Sequence, residues 1–153
     1  MNLAIEVQVI RNNPDVALPT YATAGAAAVD LQSALSEPIT IEPGAKATLI
    51  PTGLAIYHGN NHFGEFILPR SGLGHKRGLV LGNLVGTIDS DYQGELFVSA
   101  YVHPGYEPYV IQPLERFAQL VFLPIALASF TEIAEFHQAT ERGAGGFGST
   151  GSH

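Results

Sequence analysis

The sequence predicts a single all-β domain, a sandwich or barrel of short strands. Three observations carry this. Short β-rich runs recur along the chain between Gly, Pro and Asp turn signals. Glycine and proline, 17 and 10 of 153 residues, are too many for long helices and too few for disorder. Hydrophobic residues make up 46% of the chain, enough for one real core.

Taken in order, Leu3, Ile5, Val7 and Val9 alternate with Asn2, Ala4, Glu6 and Gln8, the pattern of a strand with one buried face. Pro14 to Pro19 reads as a loop. Ala22 to Leu35 is alanine-rich, which favours helix by propensity. Gly25 and the lack of an apolar stripe count against it, and both readings stand. Strands follow at Ile39–Ile41, Ala47–Ile50, Gly53–Tyr57 and Gly64–Leu68. Leu79–Ile88, a turn at Asp89–Gly94 and Glu95–Val102 read as a hairpin. Tyr109–Ile111, Glu115–Leu123 and Ser129–Phe136 complete the set. The tail from Arg142 to Gly151 has five glycines in ten residues and is expected to be mobile unless a ligand holds it.

Charge excludes several functions. Lys+Arg is 7 against Asp+Glu 14, a formal net charge of −7, the wrong sign for a broad phosphate-backbone binder. Only 14% of residues are charged, against about 25% on average, which suggests that oligomerisation hides part of the surface. The longest apolar stretch, near Leu120–Phe130, is broken by Pro124 and too short to span a bilayer. The first residues lack a basic start and a long apolar run, so no signal peptide is expected. Cysteine is absent, which removes disulfides, Cys-zinc sites and thiol nucleophiles. A cytoplasmic protein is the expectation, with neither membrane nor nucleic acid as partner.

The scarce cations mark candidate chemistry. Arg70 opens Arg-Ser-Gly-Leu-Gly, and Arg142 opens the glycine-rich tail. Both set a guanidinium beside N–H groups that can approach an anion closely, which suggests a small polyanionic ligand. The plainer alternative is surface ion pairs beside turn glycines. Gly143-x-Gly145-x-x-Gly148 formally matches a dinucleotide fingerprint, but no helix and no later acidic residue can follow it. Asp89-Ser90-Asp91-Tyr92 falls at the hairpin turn, where two carboxylates could hold a metal or a water, or simply favour the turn. The six histidines show no metal spacing, and Ser71 has no triad partners in view.

Together these segments resemble the trimeric dUTPase family over the whole chain. Five ordered motifs carry the resemblance: Ala24–Leu31, Pro69–Gly74, Gly82–Gly94, Glu115–Gln119 and the tail Arg142–Gly151. Two departures stand out. Ala28 occupies a position where the family commonly has Gly, and Tyr101-Val102-His103-Pro104 lacks the Asn-Arg pair often seen there.

The resemblance implies a jelly-roll-like β-barrel over residues 1–141, a C-terminal lid over 142–153, and a homotrimer with active sites shared between subunits. It implies Mg²⁺-assisted hydrolysis of dUTP to dUMP and pyrophosphate, which limits uracil in DNA and supplies dUMP for dTMP synthesis. Asp89 would be the base that activates water. Arg70, Ser71 and Gly72 would hold the phosphates, with Gln119 beside them and Arg142 on the γ-phosphate. Asp30 would touch Mg²⁺ through a water, the metal sitting mainly on the triphosphate. Asn83 and the backbone around Thr87, Ile88 and Phe97 would read uracil, Tyr92 would exclude a ribose, and Phe147 would stack on the base. The alternatives are a dCTP deaminase-like enzyme on the same barrel and a non-catalytic nucleotide-binding jelly roll.

Overall fold

A computed structural model describes residues 4–146. Ten strands and one short helix appear among them: β1 (Gln8–Arg11), β2 (Val29–Gln32), β3 (Ile39–Ile41), β4 (Thr48–Tyr57), β5 (Phe63–Pro69), α1 (Ser71–Arg77), β6 (Leu79–Leu81), β7 (Gly86–Ile88), β8 (Glu95–Val102), β9 (Tyr109–Ile111) and β10 (Arg116–Pro124). They form one sheet in the order β1-β4-β8-β6, a second in the order β2-β10-β5-β7, and a two-stranded ribbon β3-β9. All named strand pairs are antiparallel. The core lies between the two large sheets. Leu54, Ile50, Leu96 and Val98 from one meet Leu31, Ile67 and Leu120 from the other. Each such side chain contributes about 1.5–3 kcal/mol on burial. No helix among the described residues is long and apolar enough to cross a membrane.

Most predicted strands are present within a residue or two. The N-terminal alternation holds, with Ile5, Val7 and Val9 more buried than Ala4, Glu6 and Gln8, although the ladder begins only at Gln8. The two strands expected at 47–50 and 53–57 are one, β4, with an irregularity between Pro51 and Ala55 where it pairs with β8. Gly53 makes that bulge possible. Its φ is +69°, and a Cβ there would stand 3.0 Å from those of Ala34 and Asn13.

Elsewhere the structure settles an open reading, adds elements and overturns two expectations. Ala22–Ala28 forms turns and bends rather than helix, because its exposed alanines offer no apolar face to pack. The structure also has β2 and α1, neither of which was expected. Ser129–Phe136 is not a strand: Phe130 is 93% exposed and Phe136 91%, and the segment pairs with no strand among the described residues. The hairpin is only half formed. Leu79, Val80 and Leu81 pair with Val102, Tyr101 and Ala100, but the chain then turns at Gly82–Val85, where Leu84 has φ +68°. It emerges as β7, which pairs with β5 in the other sheet. The two arms therefore separate toward the Asp89–Gly94 turn.

Candidate active site

The separation of those arms shapes the first candidate region. Between them lies a cavity of about 240 Å³ lined by Thr87, Ile88, Asp89, Tyr92, Glu95, Leu96 and Phe97. The turn is tied in three places. Tyr92 N–H donates to Asp89 O at 3.0 Å, and Gly59 N–H donates to Ser90 O at 3.0 Å. Tyr92 Oη donates to Glu95 O at 3.1 Å, which lays the ring across the mouth. Asp89 is exposed at the rim. Phe97 is 48% exposed, an apolar surface a planar ring would cover. Asn83 does not line this cavity. It sits in the turn that ends β6, where its carbonyl accepts from Val85 N–H at 2.8 Å.

The second candidate region surrounds the start of α1. A cavity of about 480 Å³ is lined by Asp30, Arg70, Ser71, Gly72, Leu73, Lys76, Arg77 and Gln119. Five of these eight are expected site residues. Asp30 on β2 lies opposite Gln119 on β10 in register. Asp30 is also the fixed point for two guanidinium groups: Arg70 Nε donates to its Oδ1 at 2.9 Å and Arg116 Nη1 to its Oδ2 at 3.2 Å. Arg70 Nη1 further donates to Arg116 O at 2.8 Å, and Gln119 Nε2 to Pro69 O at 2.9 Å. These bonds hold Arg70 in one pose and reduce the entropy lost on meeting an anion. A Cβ on Gly72 would meet nothing within 4 Å, so packing within the chain does not demand glycine there. Its N–H belongs to the first turn of α1, where amides lack intrahelical partners.

Lys76 and Arg77 were not singled out by the sequence reading, yet both line this cavity. The signal was present, since they follow Ser71 by five and six residues and are two of only seven cations. Without α1, that spacing could not be placed on one wall. Arg77 also stacks over the Tyr109 ring at 5.3 Å. Tyr109 is pushed up to about 12, first by burial and then by its hydrogen bond to Glu115, so it stays a neutral donor.

The donor set limits what metal could sit here. Among the described residues no group of three or more His, Asp or Glu side chains could hold an ion. One carboxylate, Asp30, lines the cationic cavity, with an arginine on each oxygen. Mg²⁺ dehydrates reluctantly and is commonly held by substrate phosphates plus one or two carboxylates. The residues fit an ion brought by a polyphosphate and touched by Asp30 through water, not one caged by protein.

Arg142 lies apart from both cavities. It is exposed, and its Nε donates to Gly145 O at 2.9 Å. Phe147 lies outside the described residues.

A β-barrel with a cationic cavity at a glycine-rich turn, and a separate slot beside a carboxylate, is built to take a small phosphorylated ligand. The family model for dUTPase matches residues 15–151, and the chain belongs to that family. It is 51% identical to a deoxyuridine 5'-triphosphate nucleotidohydrolase of Neisseria meningitidis over 153 residues, the full length of both. It is 56% identical to one of Paraburkholderia xenovorans over 136 residues, 89% of this chain and 90% of that one. Among solved structures, the dUTPase of Staphylococcus bacteriophage 80alpha with dUpNHpp superposes with TM-score 0.83 at 27% identity, covering 95% of this chain and 98% of that one.

Proposed function

We propose that this chain hydrolyses dUTP to dUMP and pyrophosphate by attack of water on the α-phosphorus. The observation that carries the reading is the presence on one chain of a cationic cavity around Arg70 and an apolar slot that ends at Asp89. The first suits a triphosphate and the second a pyrimidine. The curated relatives of N. meningitidis and P. xenovorans bear the name of this activity.

Asp89 orients the water and takes its proton as the bond to phosphorus forms. Arg70, Ser71 and the Gly72 N–H hold the phosphate oxygens as negative charge moves onto the leaving pyrophosphate. Lys76 and Arg77 add positive charge to the same wall, while Gln119 sits beside the phosphates. Asp30 would accept from a water of Mg²⁺ carried in on the triphosphate, and the ion would supply further charge neutralisation when bound. Thr87, Ile88 and Phe97 flank uracil, and fixed backbone groups reject cytosine because its exocyclic amine presents a donor where uracil presents an acceptor. Asn83 joins them from the preceding turn. Tyr92, pinned through Glu95 O, fills the space a 2′-hydroxyl needs.

In one chain Arg142 reaches neither cavity. A homotrimer whose tails, with Arg142 and Phe147, close over a neighbour's site completes the arrangement. The same reading makes residues 142–153 a lid and the enzyme cytoplasmic, with no nucleic-acid or membrane partner. Sedimentation should give roughly 49 kDa, three times 16.2 kDa. The function is tested by pyrophosphate release from dUTP against dTTP, dCTP and UTP. Ammonia release from dCTP would favour the deaminase alternative.

A further inference from the structure

Among the described residues three polar residues are buried whole in the barrel, and two are satisfied. Ser33 Oγ donates to Gln112 O at 2.6 Å, and Thr52 Oγ1 to Leu96 O at 2.8 Å. The third, Glu65, is 1% exposed, and neither of its carboxyl oxygens has a hydrogen-bond partner. Facing it is the equally buried side chain of His58, whose Nε2 stands 3.4 Å from Glu65 Oε1 without forming a proper bond. Burial pushes Glu65 up to about 7 and His58 below its ordinary value. An apolar pair would pack here without this penalty.

Its position shows what the pair touches. Glu65 on β5 is the register partner of Ile88, the residue before Asp89. His58 precedes Gly59, whose N–H donates to the carbonyl of Ser90, the residue after Asp89. The pair therefore joins the two backbone anchors that flank the proposed base. The ring's tautomer is set locally: Asn60 N–H donates to His58 Nδ1 at 3.2 Å, so the neutral ring carries its proton on Nε2, toward Glu65. β10 brings Phe122 edge-on to the ring at 5.9 Å. The ionisable groups near the pair on the surrounding elements are Glu6 ahead of β1, Tyr57 at the end of β4, His62 in the following turn, and Asp89 and Asp91 beyond β7. Glu6, Gln8, Tyr57 and His58 line a depression of about 110 Å³. Arg11 and Arg116, the arginines of β1 and β10, lie at the far ends of those strands from Tyr57 and Glu65, which leaves His58 Nε2–H as the donor facing the carboxylate.

We propose that His58 and Glu65 are positioning residues for Asp89: ionised Glu65 draws His58 Nε2–H into a charge-assisted hydrogen bond that clamps β5 to the Gly59 turn and fixes the Ile88–Ser90 backbone from both sides. With Glu65 protonated that bond weakens, and the Asp89 segment is held less firmly. The inference rests on Asp89 being the base of dUTP hydrolysis.

Two readouts test it. In the wild type, kcat should rise up to about tenfold between roughly pH 6 and 8, short of the roughly 100-fold that a 1 Å misplacement can cost. KM for dUTP should change little. Glu65→Gln should flatten that rise. In the free protein, the Glu65 carboxyl carbon and the Gly59 amide should titrate by NMR with one shared midpoint near 7, and the Gly59 amide should stand still in Glu65→Gln. Should that variant fail to fold, the wild-type NMR titration decides alone. An unchanged kcat profile in folded Glu65→Gln, or a Gly59 amide indifferent to Glu65, overturns the proposal. A wild type that turns over no dUTP at any pH refutes the functional reading, while a Gly59 amide that follows Glu65 in that protein still establishes the clamp.

Discussion

Replacing Glu65 by Gln should remove a pH dependence from folding stability. The unfolded chain releases this proton near the ordinary value of 4.5, the folded chain only near 7. Between those values the folded state binds more proton than the unfolded one, so stability falls as pH rises through the window and levels off above it. The gap between 4.5 and about 7 corresponds to about 3 kcal/mol, a large share of the roughly 5–15 kcal/mol that holds a domain together. His58 works the other way. Burial lowers it, so its contribution to stability falls as pH drops below 6.5. Both proteins carry His58, and their difference reports Glu65 together with its coupling to that ring. Urea unfolding followed by circular dichroism, at one protein concentration and at pH 4.5 to 8, gives the measurement. Wild type should lose about 3 kcal/mol relative to Glu65→Gln across that range. Parallel stability curves would refute the reasoning, since they would mean the carboxyl is solvated in the folded state.

Asp89→Asn should bind nucleotide and fold as before but lose on the order of 10²–10⁴-fold in kcat, read by pyrophosphate release under saturating dUTP. Tyr92→Ala should raise the UTP:dUTP ratio of kcat/KM, because the ring pinned through Glu95 O no longer fills the sugar's 2′ side. An unchanged ratio would place sugar choice elsewhere. Deleting residues 142–153 should leave stability nearly intact, since Arg142 and the next residues add little to the core. The same deletion should lower kcat/KM by roughly 10- to 100-fold through loss of one charge-assisted phosphate contact worth about 1.5–3 kcal/mol.

Local patterns were legible where local physics decides. Tyr109–Ile111 and Ile39–Ile41 are short, β-branched or aromatic and bounded by turn residues, and the structure keeps both ranges. The grouping of Arg70, Ser71 and Gly72 was legible too, because it is a compact motif whose members share one cavity. What escaped depends on the rest of the chain. Val29–Gln32 becomes a strand only because β10 pairs with it, which alanine-rich surroundings concealed. The arms of the hairpin part because β5 offers Gly86–Ile88 a second partner, and that parting is what opens the slot beside Asp89. Ser129–Phe136 has strand-like composition, but composition cannot supply an edge to pair with. Lys76 and Arg77 needed α1 to bring them round to Asp30, and seven residues with Gly72 and Gly74 among them give no helical signal.

The most direct test of the central claim is the substrate profile of the purified chain. Pyrophosphate release should be fast with dUTP and Mg²⁺, fall steeply when the metal is chelated, and be weaker by orders of magnitude with dTTP, dCTP and UTP. Equal rates on dUTP and dCTP, or release of ammonia in place of pyrophosphate, would contradict the assignment of the slot beside Asp89 to uracil.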